Sequence, residues 1–224
     1  MRVSEIFYSL QGEGMLAGTP SVFVRLAGCS RRCRWCDTAY AWDFAAGEEL
    51  DAGQITEQVN LWPCRFVVLT GGEPLTGPDL AVRPGLVDLS HRLRAAGKHV
   101  TVETAGILFV PDLACDLMSS SPKLANAGTR CADRLDLETI RRLIHAYPYQ
   151  LKFVVDSPED VEEVRQVLSR LGDFETTRVM LMPQAAGPEE LLRKSPAIAE
   201  ACKQAGLRFG PRLHLLLWGR QRGV

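Results

Sequence analysis

The 224-residue sequence contains no apolar run that approaches the roughly 18 residues needed to cross a bilayer. Charge of one sign is not in excess, because 26 Lys and Arg residues stand against 27 Asp and Glu residues. The first residues include no apolar segment of the kind found in secretory signals, and no low-complexity tract, internal repeat or long linker divides the chain. We therefore expect a single cytoplasmic domain over residues 1–224, with no membrane or nucleic-acid partner.

Disulfide pairing is not expected, because the seven cysteines are odd in number and a reducing cytosol disfavours disulfides. Cys29, Cys33 and Cys36 fall within eight residues of one another. The other cysteines are isolated in sequence and are interpreted as buried small apolar residues; they are Cys64, Cys115, Cys131 and Cys202. The close group of three is therefore the part of the cysteine content that needs a chemical explanation.

Short apolar runs rich in β-branched residues predict strands covered on both faces, as in a parallel sheet. These runs lie at 4–10, 21–26, 65–69, 99–103, 113–118, 150–155, 178–182 and 207–209. Helical periodicity predicts helices over 80–96, 135–146, 157–168 and 188–205. Strand and helix alternate from residue 21 onward, which indicates a βα array whose sites collect at the carboxyl ends of the strands.

The three close cysteines form a C-x3-C-x2-C segment directly after the second predicted strand. Thiolates bind zinc or iron–sulfur clusters, and Arg31, Arg32 and Arg34 are expected to lower the thiol pKa values. A structural zinc site needs four closed ligands, whereas this spacing supplies three and the four histidines are distant in sequence. An iron–sulfur cluster with three protein ligands leaves one iron open to another molecule. Three loop cysteines without any ligand are the third interpretation.

This segment resembles the cysteine motif of the radical S-adenosylmethionine (SAM) superfamily. The resemblance implies a [4Fe–4S] cluster on Cys29, Cys33 and Cys36, with SAM chelating the open iron and being cleaved to a 5′-deoxyadenosyl radical. Residues 70–74, which read Thr-Gly-Gly-Glu-Pro, are similar to the superfamily element that contacts the methionine amino group. Glycine lets backbone approach a ligand, and Glu73 is expected to add an acceptor for the ammonium. The implied fold is α/β, a partial (β/α) barrel with a parallel sheet and helices outside.

Flanking segments narrow the resemblance to the 7-carboxy-7-deazaguanine synthase family. They are 9–14, 23–29, 35–38 and 70–74, with thinner similarity at 103–104, 121–123 and 213–219. The family converts 6-carboxy-5,6,7,8-tetrahydropterin to 7-carboxy-7-deazaguanine with release of ammonia, in 7-deazapurine (queuosine) biosynthesis. The resemblance also implies Mg²⁺, a homodimer, and an electron donor such as flavodoxin. Residues 1–20 would be a substrate-binding extension of a barrel formed by residues 21–224.

The resemblance assigns site residues one by one. Substrate contacts are implied for Leu10, Gln11, Gly12, Arg25, Thr70 and the terminal carboxylate of Val224. Cofactor contacts are implied for Trp35, Cys36, Asp37, Gly72, Ser121, Pro122, Lys123 and Gln184. Thr38 matches the magnesium position, and the radical is carried by the cofactor, so no catalytic side chain is assigned. Ala105 and Leu215-Leu216 depart from the family pattern, and His214 is interpreted as a structural partner.

Two alternative functions stay open. Another small radical SAM enzyme, such as a glycyl-radical activating enzyme, would use the same cluster and glycine turn but gives no reason for residues 11–14. A zinc-stabilised binding module would use the cysteines without catalysis.

Overall fold

A computed structural model describes residues 1–129 and 135–224, and the strands in these ranges form one nine-stranded sheet. The strands are β1 (Arg2–Leu10), β2 (Pro20–Leu26), β3 (Glu48–Glu49), β4 (Phe66–Gly71), β5 (His99–Thr104), β6 (Leu117–Ser120), β7 (Tyr149–Val155), β8 (Val179–Pro183) and β9 (Arg208–Phe209). Their order in the sheet is β3-β1-β2-β4-β5-β6-β7-β8-β9.

The main part of the sheet is parallel. Each neighbouring pair from β2 to β9 is parallel, whereas β1 pairs antiparallel with both β2 and β3 at one edge. Apart from β3, which is added outside β1, the strands follow one another in chain order. Right-handed βα units generate this order when their helices stay on one face and the sheet curves toward a barrel. The predicted partial (β/α) barrel is confirmed.

The helices in the described residues are α1 (Ala52–Val59), α2 (Leu86–Ala95), α3 (Leu137–Ala146), α4 (Pro158–Leu171), α5 (Pro188–Ala205) and α6 (Leu213–Trp218). Apolar stripes of α1 to α5 pack against the sheet and form one large core with its strands. Every residue of β7 is buried, as expected for a strand covered on both faces. None of these helices is both long enough and apolar enough to cross a bilayer.

Capping residues in the sequence predicted several helix ends correctly. Ser157 accepts a hydrogen bond from the Asp160 N–H and Pro158 occupies the first turn, so α4 begins where predicted. The helix predicted over 80–96 begins only at Leu86, because Pro84 restricts the residue before it and Gly85 takes a left-handed conformation at φ 78°. Helix α1 was not predicted, although Asp51 and Gln54 form a capping box at its start.

One predicted strand begins too early. The run 113–118 is apolar except for Asp116, and β6 starts only after that residue, at Leu117; the Asp116 carboxylate accepts a hydrogen bond from the Val100 N–H at 2.8 Å. The isolated cysteines Cys64, Cys115 and Cys202 are free and buried, as predicted. Cys131 lies outside the described residues.

Candidate active site

The cysteine loop leaves the carboxyl end of β2. Cys29 and Cys33 are buried and Cys36 is half-buried, and all of them line a cavity of about 150 Å³. Burial raises the pKa of the Cys29 and Cys33 thiols, and a backbone N–H from Arg31 to Cys29 only partly offsets it. Arg31 does lower the pKa of Cys33 through its charge, as expected, but burial is the larger effect and the net shift of both thiols is upward.

The donor set of this cavity suits a cluster better than a single ion. In residues 1–129 and 135–224, no group of three or more His, Cys, Asp or Glu side chains is gathered closely enough to hold one metal ion. A four-iron cluster needs no such convergence, because each thiolate binds a different iron. Among the residues described as lining this cavity there is no histidine and no fourth cysteine, which are the usual fourth ligands of a structural zinc site.

The glycine turn after β4 packs backbone to backbone against the cysteine loop. The Gly72 N–H donates to the Leu26 carbonyl at 3.0 Å, and the Glu73 N–H donates to the Gly28 carbonyl at 2.8 Å. A Cβ atom on Gly72 would lie 2.3 Å from the Gly28 carbonyl oxygen and 2.8 Å from that of Ala41. Only glycine fits this approach, which places the turn on the wall of the cysteine-lined cavity.

The Glu73 side chain points into the protein. Its carboxylate accepts hydrogen bonds from the Thr104 hydroxyl at 2.7 Å, the Leu75 N–H at 3.2 Å and the Ala105 N–H at 2.8 Å. Burial raises the pKa of Glu73 despite these donors. The expectation that Glu73 accepts from a ligand ammonium is wrong, because its carboxylate joins the ends of β4 and β5. Ala105, which departs from the family pattern, contributes only its backbone N–H to the hydrogen bonds of the Glu73 carboxylate.

A second, larger cavity of about 270 Å³ lies beside the first. All the residues expected to contact substrate line it; they are Leu10, Gln11, Gly12, Arg25, Thr70 and Val224. Six residues line both cavities, so the two spaces share a wall; they are Glu13, Asp37, Thr38, Thr70, Gly71 and Glu103. We call the larger space the substrate cavity and the smaller one the cluster cavity.

Most of the expected cofactor contacts lie on the cluster cavity. They are Trp35, Cys36, Asp37, Gly72, Ser121 and Lys123. The Lys123 ammonium donates to the Ser121 hydroxyl at 3.1 Å and lies 5.6 Å from the centre of the Trp35 ring. Pro122 and Gln184 do not line either described cavity, and the Gln184 side-chain oxygen accepts from Lys194 of α5 at 3.1 Å.

Arg25 reaches the substrate cavity with part of its guanidinium unused. Its Nε donates to the Glu5 carboxylate at 2.7 Å, and its two terminal nitrogens make no hydrogen bond to any described residue. The same carboxylate accepts from the Tyr40 hydroxyl at 2.7 Å and from Arg222 Nε at 2.8 Å. Burial and the hydrogen bond to Glu5 raise the pKa of Tyr40 to about 12, opposed by the charge of Arg25.

The C-terminal residues cover the substrate cavity. Residues 219–224 line it, and Arg222 stacks over the Tyr40 ring at 4.0 Å. The Ser9 hydroxyl donates to the Val224 carbonyl oxygen, which anchors the last residue to β1. The tail is therefore held against β1 at Ser9 and, through Arg222, against Tyr40 in the segment that follows the cysteine loop.

A chain of charged groups crosses the wall between the cavities, and sequence reasoning did not assign it. The Lys152 ammonium donates to Glu13 at 3.0 Å and to Glu103 at 3.1 Å. Arg212 donates to Glu13 at 3.2 Å and to Asp37 at 2.6 Å. Burial alone would raise the pKa of Glu13, but Lys152 and Arg212 hold it far below its usual range. A lone lysine inside the apolar run 150–155 was a signal, because a buried ammonium requires carboxylate partners.

His214 also lies on the substrate cavity and packs against the loop after β1. A Cβ atom on Gly12 would lie 2.2 Å from its Nδ1, and the Gly12 carbonyl accepts from the Leu213 N–H at 2.8 Å. Burial lowers the pKa of His214, although the charge of Glu13 opposes this. These contacts agree with the interpretation of His214 as a structural partner.

Comparison with known proteins identifies the family. Residues 23–129 match the Radical SAM superfamily. The 7-carboxy-7-deazaguanine synthase of Pyrobaculum aerophilum is 43% identical over 229 residues, covering 100% of this chain and 97% of that protein. That of Halobacterium salinarum is 39% identical over 237 residues, covering 96% and 90%.

A solved structure supports the fold independently. QueE from Escherichia coli superposes with a TM-score of 0.73 at 24% identity, covering 93% of this chain and 92% of that one. The fold match and the full-length identity agree with the cysteine loop and glycine turn described above. The chain is therefore a radical SAM protein of the 7-carboxy-7-deazaguanine synthase family.

Proposed function

We propose that this enzyme converts 6-carboxy-5,6,7,8-tetrahydropterin to 7-carboxy-7-deazaguanine with release of ammonia. The observation that carries the proposal is the pair of cavities with one shared wall, one lined by three free cysteines and the other by residues suited to an anionic heterocycle. When bound, the cluster and SAM supply the electron and the adenosyl radical chemistry for hydrogen abstraction from the pterin. Cys29, Cys33 and Cys36 would hold the cluster.

The substrate carboxylate is assigned to Arg25 and Thr38. Arg25 has two terminal nitrogens directed to no described protein group, and a guanidinium binds a carboxylate through two parallel hydrogen bonds. Thr38 lines both cavities and offers a neutral hydroxyl, so it would share Mg²⁺ with the substrate carboxylate and water. The carboxylate would thereby be fixed at the wall that faces the cluster cavity.

The ring of the substrate carries N–H donors on its guanidine-like edge, and the substrate cavity supplies acceptors for them. Glu103 uses only Oε1 for its hydrogen bonds to described residues, which leaves Oε2 for a ligand N–H. The loop 10–12 and Thr70 add backbone and side-chain polar groups along the same cavity. Residues 1–20 would thus act as a substrate-binding extension, and the tail that ends at Val224 would close over the bound pterin.

SAM is assigned to the cluster cavity. The Trp35 ring packs on Val154, Met180 and Met182 and offers a flat apolar face, and the Lys123 ammonium lies beside it. The Gly72 turn would bring backbone oxygen to the methionine amino group. Asp37 is held by Arg212 at 2.6 Å and would contact the cofactor from the wall that the two cavities share.

Three further features of the proposal concern partners and location. The exposed Arg32 and Arg34 beside the cluster loop favour an acidic electron donor such as flavodoxin. The exposed apolar side chains Leu216 and Leu217 favour a homodimer. The described cysteines are unpaired, which is consistent with a cytoplasmic location.

The experiment that tests the proposal is anaerobic turnover of the reconstituted, reduced protein with SAM, Mg²⁺ and carboxytetrahydropterin. Formation of 7-carboxy-7-deazaguanine, detected by mass spectrometry, is expected, and an intact cluster without this product would reject the proposal.

Cys33→Ala should lose cluster absorption and turnover together, because three ligands are needed. Thr38→Ala should keep the cluster and lose rate mainly at limiting magnesium, and unchanged magnesium dependence would reject that ligand. A chain that binds one zinc and never takes up a cluster would instead support the binding module.

A further inference from the structure

Lys152 is the most deeply buried cation among the described residues of the site. It lies in the middle of β7, is 2% exposed, and has apolar neighbours Leu151 and Phe153 that are fully buried. Its ammonium donates to the Glu13 carboxylate at 3.0 Å and to Glu103 at 3.1 Å. A buried ammonium is stable only when carboxylates surround it, and the burial cost of Lys152 is offset by these two partners, which raise its pKa above the usual value.

The hydrogen bonds of Glu103 converge on one oxygen. Oε1 accepts from the Lys152 ammonium and also from Gln11 Nε2 at 3.3 Å. Oε2 has no hydrogen-bond partner in the part of the chain that the structure describes, and the Glu103 side chain keeps 20% of its exposure. Because Oε1 accepts from two donors, the orientation of the carboxylate is restrained, and Oε2 is the oxygen left for a ligand in the cavity.

The surrounding charges add up to one unpaired negative charge. Glu13, Glu103 and Asp37 contribute three carboxylates, and Lys152 and Arg212 contribute two cations. Removing Lys152 would leave Glu13 and Glu103 facing each other across the wall without a cation between them. The two carboxylates would then repel, and Glu103 would lose the hydrogen bond that orients it.

We propose that Lys152 is a positioning residue for substrate recognition, which holds the Glu103 carboxylate so that Oε2 accepts an N–H from the guanidine-like edge of the pterin. This inference rests on the proposed function, since it names the pterin as the ligand. Lys152 itself touches no substrate atom in this role and acts through Glu103. The same ammonium secures the loop after β1 through Glu13, so it keeps the N-terminal wall of the substrate cavity in place.

The test compares Lys152→Met, Lys152→Arg, Glu103→Gln and the double variant Lys152→Met with Glu103→Gln. Lys152→Met and Glu103→Gln should each raise the KM for carboxytetrahydropterin about 10- to 100-fold, the range expected for a hydrogen bond to a charged group. The KM for SAM should change less than the KM for the pterin in each variant. The pterin KM of the double variant should not exceed that of Glu103→Gln alone, because both substitutions remove the same interaction between Glu103 and the pterin. Lys152→Arg should recover most of the pterin affinity.

Lys98→Met is the matched control. Lys98 is a partly buried lysine that donates to the Cys64 carbonyl at 2.8 Å, next to the amino end of β5 and away from both cavities. This variant should keep the wild-type KM for both ligands. A purely structural role of Lys152 would lower thermal stability without separating the two KM values.

Several outcomes would overturn the inference. A wild-type pterin KM in Glu103→Gln would do so even if Lys152→Met failed to fold, and so would additive effects in the double variant. Equilibrium binding of the pterin to the reconstituted wild-type and Glu103→Gln proteins, with SAM present, provides a readout that does not depend on turnover. Tight wild-type binding that Glu103→Gln weakens, in a protein that forms no product, would reject the proposed reaction while supporting the role of this carboxylate.

Discussion

Replacing Gly72 by alanine is expected to separate the glycine turn from the cysteine loop. The added Cβ atom would lie 2.3 Å from the Gly28 carbonyl oxygen, whereas ordinary contact begins near 3.4 Å. The three nearest atoms are the carbonyl oxygen and carbon of Gly28 and the carbonyl oxygen of Ala41, and all belong to backbone, which cannot rotate away as a side chain can. The turn and the loop must therefore move apart by roughly 1 Å.

This displacement sets the expected magnitude. It would stretch the hydrogen bond between the Glu73 N–H and the Gly28 carbonyl, now 2.8 Å, and shift the backbone proposed to contact the methionine amino group. A misplacement of about 1 Å typically costs about 100-fold in rate, which corresponds to about 2.7 kcal/mol. We therefore expect kcat/KM for SAM to fall about 100-fold in Gly72→Ala.

The assay is SAM cleavage followed by chromatography of 5′-deoxyadenosine, with the cluster monitored by its visible absorption. The cluster band should remain, because the cysteines are unchanged. Gly187→Ala is the control, since Gly187 has extended backbone at φ −173° and no atom within 4 Å of an added Cβ. Wild-type kcat/KM for SAM in Gly72→Ala would refute the steric reasoning.

Three further predictions concern the charged wall and the tail. Glu13→Gln should lower the free energy of unfolding by about 2–4 kcal/mol in urea titrations, because Lys152 and Arg212 lose a shared anionic partner; an unchanged midpoint would contradict this. Since the folded pKa of Glu13 is depressed, its contribution is fully present above about pH 4.5 and is lost as the pH falls below that value, so Glu13→Gln should show a weaker loss of stability in acid than the wild type. Arg222→Ala should release the tail from Glu5 and, in steady-state kinetics, raise the KM for the pterin several-fold without raising the KM for SAM. A pterin KM equal to that of the wild type would show that the tail does not close the cavity.

The cluster loop and glycine turn could be predicted from the sequence because their chemistry depends on local spacing. Cys29, Cys33 and Cys36 lie on one short loop, and Gly72 follows the next strand of the sheet, so parallel pairing of β2 with β4 brings them together. The start of helix α4 could also be predicted from the sequence. The N-cap Ser157 and the first-turn residue Pro158 determine it through interactions with residues close in sequence.

Side-chain direction and long-range partners could not be predicted in the same way. Nothing local to Glu73 shows that its carboxylate turns toward Thr104 on the neighbouring strand. Lys152 finds Glu13 at a separation of 139 residues, and this pairing depends on the curvature of the sheet. Nothing in residues 182–184 indicates that the Gln184 side chain accepts a hydrogen bond from Lys194 on the following helix.

The distribution of these contacts along the chain has a consequence for biogenesis. Residues 29 to 74 carry the cysteines and the glycine turn, whereas the contacts that close the wall and the tail join residues 139 to 217 positions apart. A nascent chain folds from its N-terminus as it emerges from the ribosome. The three thiols are thus synthesised long before Lys152, Arg212 and Arg222, so the contacts that close the wall and the tail form only after most of the chain has been made.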